Sequence, residues 1–165
     1  MSYEIRHATA DDGEELLRLW HGFTDTLSEY DERYLHKEDA DERWLQYFEN
    51  QLVDAKYGTV VLAEHEHSGE LVGVLEARVM GNHPIFRLRN HGYIHGHYVT
   101  ENHRNEGVGS ALLDTAHQWF AEPPREVEFY RIDVLDGDEE SARFYDRRGF
   151  EPVEHTFERS TDQDG

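Results

Sequence analysis

The segment from His103 to Ser110 has a composition suited to binding a ligand. It reads His-Arg-Asn-Glu-Gly-Val-Gly-Ser and lies between a predicted strand and a predicted helix. Gly107 and Gly109 permit a tight turn and let a ligand approach the backbone closely. Because the first N–H groups of a helix have no acceptor within it, such a turn favours phosphate binding. A strand-to-helix turn that only needs small residues is the structural alternative.

Two familiar phosphate-binding motifs do not fit this turn. A Walker loop requires Gly-Lys-Ser or Gly-Lys-Thr, and no lysine lies near. A dinucleotide-binding G-x-G-x-x-G turn requires a third glycine where this chain has Leu112, and it normally follows the first strand of its unit. The pattern that is present is Arg-x-x-Gly-x-Gly, from Arg104 to Gly109.

With Tyr98-Val99 before it and Ala111-Leu112-Leu113 after it, this segment closely resembles the cofactor loop of the GNAT superfamily of N-acetyltransferases. In that family the loop amides hold the pyrophosphate of coenzyme A. The resemblance therefore implies that acetyl-CoA is a co-substrate and that the backbone N–H of Val99 stabilises the oxyanion. The positions that it assigns to cofactor binding are Val99, Arg104, Gly107, Val108, Gly109 and Ser110.

A second motif, from Ala142 to Phe150, reads A-x-F-Y-x-x-x-G-F and is similar, with one residue fewer after the alanine, to the A-x-x-F-Y-x-x-x-G-F signature of the same family. The resemblance implies that Tyr145 protonates the departing CoA thiolate, whereas core packing is the ordinary use of such a residue. Gly149 is expected to adopt the left-handed conformation that ends a helix. Family members often carry asparagine where this chain has Glu139, and a carboxylate cannot donate the same hydrogen bonds.

The histidines on and near the predicted fourth strand suggest two uses, a metal site or a catalytic base. They are His91, His95, His97 and His103. His95 and His97 share one face of a strand, but no third ligand follows at a zinc-binding spacing, so we expect no metal. In the GNAT family the base, where one exists, often lies on this strand, and His95 fits best. A water relay to Glu76, or Tyr93, are the alternatives.

The charge of the chain is unusually negative, at −20, and only Lys37 and Lys56 among its 16 bases are lysines. Such a surface disfavours nucleic acid. Its acids are scattered, which favours adaptation to high salt over steering of a cationic acceptor. The sequence has no cysteine, no apolar run near the roughly 18 residues of a membrane span and no signal-peptide pattern at its start. We therefore expect a cytoplasmic protein without a membrane partner.

The hydrophobic periodicity predicts the elements that position these residues. The predicted strands cover residues 3–8, 58–65, 70–80, 92–100, 127–135 and 150–158, and the predicted helices follow Asp11, cover 39–55, run from Val108 to Trp119 and cover 139–148. Hairpins beside strand–helix–strand units indicate an α/β fold of the α+β type, with a mixed, mostly antiparallel sheet and helices on both faces. We expect one GNAT-like domain over residues 1–158 and a polar tail over 159–165.

The two motifs together favour an N-acetyltransferase that moves an acetyl group from acetyl-CoA to a primary amine of a small molecule or peptide. A non-catalytic acyl-CoA sensor or interaction module on the same fold is one alternative, and a protein that binds another nucleotide is a second. The regions 20–40 and 81–92 are predicted to build the acceptor pocket. Homodimers are common in the family.

Overall fold

The computed structural model describes residues 2–162, so Met1 and residues 163–165 of the predicted polar tail lie outside the described residues. The strands are β1 (Tyr3–His7), β2 (Gly58–His65), β3 (Leu71–Met80), β4 (His91–Val99) and β5 (Tyr130–Ile132). The helices are α1 (Gly13–Tyr30), α2 (Ala40–Tyr47, continued by a π-helical turn over Phe48–Leu52), α3 (Val108–Ala121) and α4 (Glu139–Asp146). Among the described residues, none of these helices has the length and apolar character needed to cross a membrane.

The chain divides into two compact units, one ending at Asp133 and the other beginning at Val134. All five strands belong to the first unit and form one sheet in chain order. The pairs β1–β2, β2–β3 and β3–β4 are antiparallel, and the pair β4–β5 is parallel. A parallel pair needs a crossover, which α3 supplies. The predicted mixed, mostly antiparallel sheet is confirmed.

Helices cover both faces of this sheet because side chains alternate along each strand. On one face, Val60 and Val74 belong to a buried cluster with Leu16 of α1 and Phe48 at the end of α2. On the other face, Gly73 lets α3 approach closely. A Cβ atom at this position would lie 3.1 Å from the Val108 side chain and 3.0 Å from that of Leu112. The prediction of helices on both faces is therefore confirmed.

The second unit is organised around α4. The side chain of Asp138 accepts a hydrogen bond from the Ser141 N–H at 3.1 Å and caps the start of the helix. At its other end, Gly149 has a φ of 88°, and the Phe150 N–H donates to the Tyr145 carbonyl at 3.1 Å. This left-handed glycine satisfies the last carbonyls of the helix. The expectation for Gly149 is confirmed.

Two predicted strands differ from the structure. The strand predicted over 127–135 is reduced to β5, because β4 has an irregularity after Ile94 that ends their pairing. The closing strand predicted over 150–158 is wrong: the described part of the chain has no strand after β5, and residues 151–158 are exposed. An alternating pattern of side chains does not provide the partner strand with which the backbone N–H and C=O groups of this segment would pair. Pro152 also has no backbone N–H to donate.

Candidate active site

The pairing of β3 with β4 is interrupted by a β-bulge at His95. Glu76 pairs with Gly96, and the next residue of β3, Ala77, pairs with Ile94, so His95 is one extra residue in β4. A bulge bends its strand and changes the direction of a side chain, and it often lies next to a functional site. Beyond this point β4 continues without β5, whose pairing with β4 covers only Gly92 to Ile94.

The backbone of Val99 points to the side of β4 that faces away from β3. The N–H of the next residue, Thr100, donates to the Val72 carbonyl on β3 at 2.9 Å. Because consecutive strand residues direct their backbone groups to opposite sides, the N–H and C=O of Val99 point the other way. The Val99 carbonyl accepts a hydrogen bond from Nε of Arg104 at 2.9 Å. Its N–H is directed to the same edge, beyond the end of the pairing with β5.

The glycine turn has the conformation that the sequence predicts. Gly107 has a φ of 84° and precedes α3, and a Cβ atom built on it would meet no other atom within 4 Å. The first helical hydrogen bond runs from the Ala111 N–H to the Gly107 carbonyl at 3.0 Å. The N–H groups of Val108 and Gly109 therefore precede the first acceptor within the helix. Nε2 of His97 donates to the Gly109 carbonyl at 3.0 Å and ties this turn to β4.

The side chain of Arg104 is directed toward β4. Besides its hydrogen bond to Val99, its guanidinium carbon lies 5.6 Å from the centre of the Tyr98 ring. Tyr98 in turn packs against Gly22 of α1, where an added Cβ atom would lie 2.6 Å from the tyrosine hydroxyl. Arg104 thus contacts both Tyr98 and Val99 and positions the Val99 backbone, while His97 links the turn to the same strand.

Sequence reasoning missed Thr100, which lies between β4 and the turn. Its buried hydroxyl has no hydrogen-bond partner among the described residues. A buried hydroxyl without a partner is costly, and it is a reason to look for a ligand at that point. The open space beside Gly107 and the helix-start amides of α3 add room and donors for a phosphate. These features fit a phosphate-bearing group such as coenzyme A.

A small cavity that opens to solvent lies between the sheet and the α1–α2 side of the first unit. Its lining residues are Leu16, Trp20, Phe23, Trp44, Val60, Val74, Glu76, His95 and Gly96. The region 20–40 contributes Trp20 and Phe23 to this lining, whereas the region 81–92 contributes none of these residues. The ring of Trp20 stacks on that of Trp44 at 5.4 Å between centres. The cavity is therefore apolar and aromatic, with two titratable side chains.

The carboxylate in this cavity, Glu76, is held in place by polar neighbours. The Tyr47 hydroxyl donates to its Oε2 atom at 2.7 Å. Burial raises the pKa of Glu76, whereas the hydrogen bond from Tyr47 and the charge of Arg78 oppose this rise. Trp44 adds an indole N–H that is buried and lacks a partner among the described residues. Sequence reasoning missed Tyr47 and Trp44, because only the packing of α2 on the sheet brings Trp44 to the cavity and Tyr47 to Glu76.

His95 is accessible to solvent, and its ring stacks on Tyr93 at 5.2 Å between centres. Partial loss of hydration lowers its pKa, the charge of Arg78 lowers it further, and Asp133 opposes both effects. A lowered pKa favours the neutral imidazole at neutral pH, the form that can accept a proton. The Tyr93 hydroxyl donates to Asp133 at 2.6 Å.

Tyr145 lies on α4 in the second unit. Its ring makes edge contacts with Phe144 at 5.1 Å and Phe150 at 5.3 Å between centres. Burial raises the pKa of the Tyr145 hydroxyl, Asp138 adds to the rise, and Arg148 opposes it. The hydroxyl is therefore protonated at neutral pH, as an acid must be before it donates.

Comparisons with known proteins point to one family. A profile described as the Acetyltransferase (GNAT) family matches residues 19–150. A tetramutant of a protein from Bacillus halodurans has a TM-score of 0.79 at 19% identity, with 95% of this chain and 99% of that chain covered. An aminoglycoside N-acetyltransferase in complex with CoA has a TM-score of 0.71 at 16% identity, with 98% and 95% covered.

The glucosamine-6-phosphate N-acetyltransferase of Arabidopsis thaliana has a TM-score of 0.69 at 15% identity, with 98% of this chain and 100% of that chain covered. Identities at this level show a shared fold alone. No curated protein sequence matches this chain significantly.

Proposed function

The chain belongs to the GNAT family of acetyltransferases, and on that premise we propose that it transfers an acetyl group from acetyl-CoA to a primary amine. The observation that carries this proposal is the bulge at His95. It places an imidazole in the same cavity as Glu76. Past the bulge, the Val99 N–H points to the edge of β4 beside the glycine turn, where an acyl group held by that turn can reach it.

Acetyl-CoA supplies the thioester in this proposal, and the start of α3 binds its phosphates. The N–H groups of Val108 and Gly109 and the positive end of the helix dipole favour a negative group there. Ser110 belongs to the same turn of the helix. Gly107 leaves the space in front of this turn open. Arg104 contributes mainly by holding the Val99 backbone, since its Nε atom is bound there.

The proposed reaction has two proton transfers, one to His95 and one from Tyr145. A primary amine with a pKa near ~10 is mostly protonated at neutral pH, so it must lose a proton before it attacks. His95 accepts that proton, directly or through a water molecule held with Glu76. As the N–C bond forms, the Val99 N–H donates to the carbonyl oxygen that gains negative charge. As the C–S bond breaks, Tyr145 donates its proton to the departing sulfur.

The cavity favours a cationic acceptor without a phosphate. Trp20, Phe23 and Trp44 offer aromatic faces that attract an ammonium group. Glu76 adds a carboxylate beside these aromatic faces. Among proteins of the same fold, one is named for an aminoglycoside and one for glucosamine 6-phosphate. We favour an acceptor of the first kind, a polycationic amine that carries no phosphate group.

A panel of amines tests the proposal by release of free CoA thiol from acetyl-CoA. We expect turnover with polycationic amines and little with glucosamine 6-phosphate. Glu76→Gln keeps the shape of the side chain but removes its charge, so kcat/KM for cationic amines should fall while the affinity for acetyl-CoA is unchanged. An acyl-CoA sensor would bind acetyl-CoA and release no thiol with any amine. Competition by ATP at equal affinity would instead indicate another nucleotide as the ligand.

A further inference from the structure

Three potential metal ligands meet at the junction of α1 and α2. They are His21 on α1, His36 in the connection between the helices and Asp41 in the first turn of α2. One ligand atom from each lies within 4.8 Å of the others. The side chains of His21 and Asp41 are 42% and 53% exposed, so an ion can enter from solvent. His21 is thus brought next to His36 and Asp41, which lie 15 and 20 positions later in the sequence.

The existing contact between His21 and Asp41 shows how an ion would enter. Nε2 of His21 and Oδ1 of Asp41 are 2.7 Å apart, a hydrogen bond through one proton. A tetrahedral ion with ligand bonds of about 2.0–2.1 Å separates its ligand atoms by about 3.3–3.4 Å. Replacing the proton by such an ion therefore needs only a small opening of this pair, together with a shift of His36 inward.

The second histidine is already oriented by a hydroxyl. Nε2 of His36 lies 2.6 Å from the Thr24 hydroxyl, which itself donates to the His21 carbonyl at 3.3 Å. In the tautomer that carries the ring proton on Nε2, His36 donates to this hydroxyl, and the hydroxyl donates to the His21 carbonyl. Nδ1 then has the free lone pair that a metal requires. A partner of this kind, which fixes the tautomer of a ligand, is a regular part of histidine metal sites.

We propose that His21, His36 and Asp41 form a site for a borderline divalent transition-metal ion, with Zn²⁺ as the best fit. Two imidazoles and one carboxylate suit Zn²⁺, Co²⁺ or Ni²⁺, whereas Mg²⁺ and Ca²⁺ prefer sets of oxygen ligands. The bound ion ties α1 to the start of α2. The ion is also connected to the cavity that contains Glu76 and His95. The His36 ring stacks on Trp20, which lines that cavity, at 4.5 Å between ring centres.

Titration of chelator-treated protein without an affinity tag tests this site. We expect one equivalent of Zn²⁺ by calorimetry, and a tryptophan fluorescence change with Co²⁺ or Ni²⁺ because Trp20 contacts His36. His21→Gln and His36→Ala should each weaken Zn²⁺ binding at least about 100-fold. Thr24→Val should weaken it by about 10–100-fold, the effect that removal of such a partner typically has. Mg²⁺ at the same concentration should change neither signal.

The matched control removes two other neighbouring histidines. His65 and His67 have ring centres 5.8 Å apart, so His65→Ala/His67→Ala reports on binding by any close histidine pair. This double variant should bind Zn²⁺ like the unmodified protein. Melting in the presence of EDTA verifies that each variant is folded, and His21→Gln serves if His36→Ala is not. The proposal is overturned if the His21 variant binds with unchanged affinity, or if only the control loses binding.

Discussion

Replacing glycine by alanine normally stabilises a helix, but at Gly22 we expect the replacement to destabilise the protein because of the Tyr98 side chain. Gly22 lies inside α1, where alanine is ordinarily more stable than glycine by about 0.8–1.0 kcal/mol. Here, however, the new Cβ atom would lie 2.6 Å from the Tyr98 hydroxyl and 2.7 Å from its ring carbons. Forcing a methyl group into such a contact typically costs about 1–3 kcal/mol. The expected net change is a loss of up to about 2 kcal/mol in the free energy of unfolding.

The consequence extends to the glycine turn. The guanidinium carbon of Arg104 lies 5.6 Å from the centre of the Tyr98 ring, and Nε of Arg104 donates to the Val99 carbonyl at 2.9 Å. Displacement of Tyr98 should therefore disturb the backbone that we assign to the acyl group, so Gly22→Ala should also weaken acetyl-CoA binding and lower kcat. Urea unfolding followed by circular dichroism measures the stability, and calorimetry measures the acetyl-CoA affinity.

A double-mutant cycle separates the clash from the helix propensity. In the Tyr98→Leu background the contact is gone, so Gly22→Ala should now stabilise the protein by about 0.8–1.0 kcal/mol. The coupling between the two positions then equals the cost of the clash, about 1–3 kcal/mol. If Gly22→Ala has the same effect in both backgrounds, Tyr98 is not the cause and the reasoning is refuted.

Three further predictions concern charge and proton transfer. If the charge of −20 is an adaptation to high salt, the melting temperature should rise between roughly 0.1 and 2 M KCl, and a constant value would contradict it. His95→Gln should remove the acidic limb of the pH profile of kcat/KM, and Arg78→Gln should shift that limb to higher pH, because the Arg78 charge lowers the pKa of His95. Tyr145→Phe should lower kcat by ~10²–10⁴-fold with little change in acetyl-CoA affinity, which full kcat in a chemistry-limited assay would disprove.

The sequence predicted the parts of the fold that depend on local patterns. The hairpin of β2 and β3, the left-handed Gly149 and the turn before α3 each follow from residue types at short spacing. The closing strand at 150–158 was predicted wrongly, because alternation describes two faces of a segment but not the neighbour with which it pairs. Strand pairing is a property of distant segments, which no local pattern records.

The site shows the same division between local and distant information. The glycine turn could be found from its spacing, and His95 from its place on the strand. The bulge that sets His95 apart is visible only when β3 and β4 are aligned, since it is a difference of one residue between two strands. The hydrogen bond from Tyr47 to Glu76 joins residues 29 positions apart. The cluster of His21, His36 and Asp41 likewise depends on how the irregular connection before α2 folds back.

The arrangement of β4 implies that the two chemical roles assigned to it can be separated by mutation. The proposed base is a side chain, that of His95, whereas the proposed oxyanion donor is the backbone N–H of Val99. The direction of that N–H depends on strand register, since the Thr100 N–H is fixed to Val72 on β3. A substitution at His95 that keeps the bulge therefore removes the proton acceptor without turning the Val99 N–H. Loss of rate in such a variant should recover at high pH, where the amine deprotonates unaided, and this recovery would not follow from damage to the backbone donor.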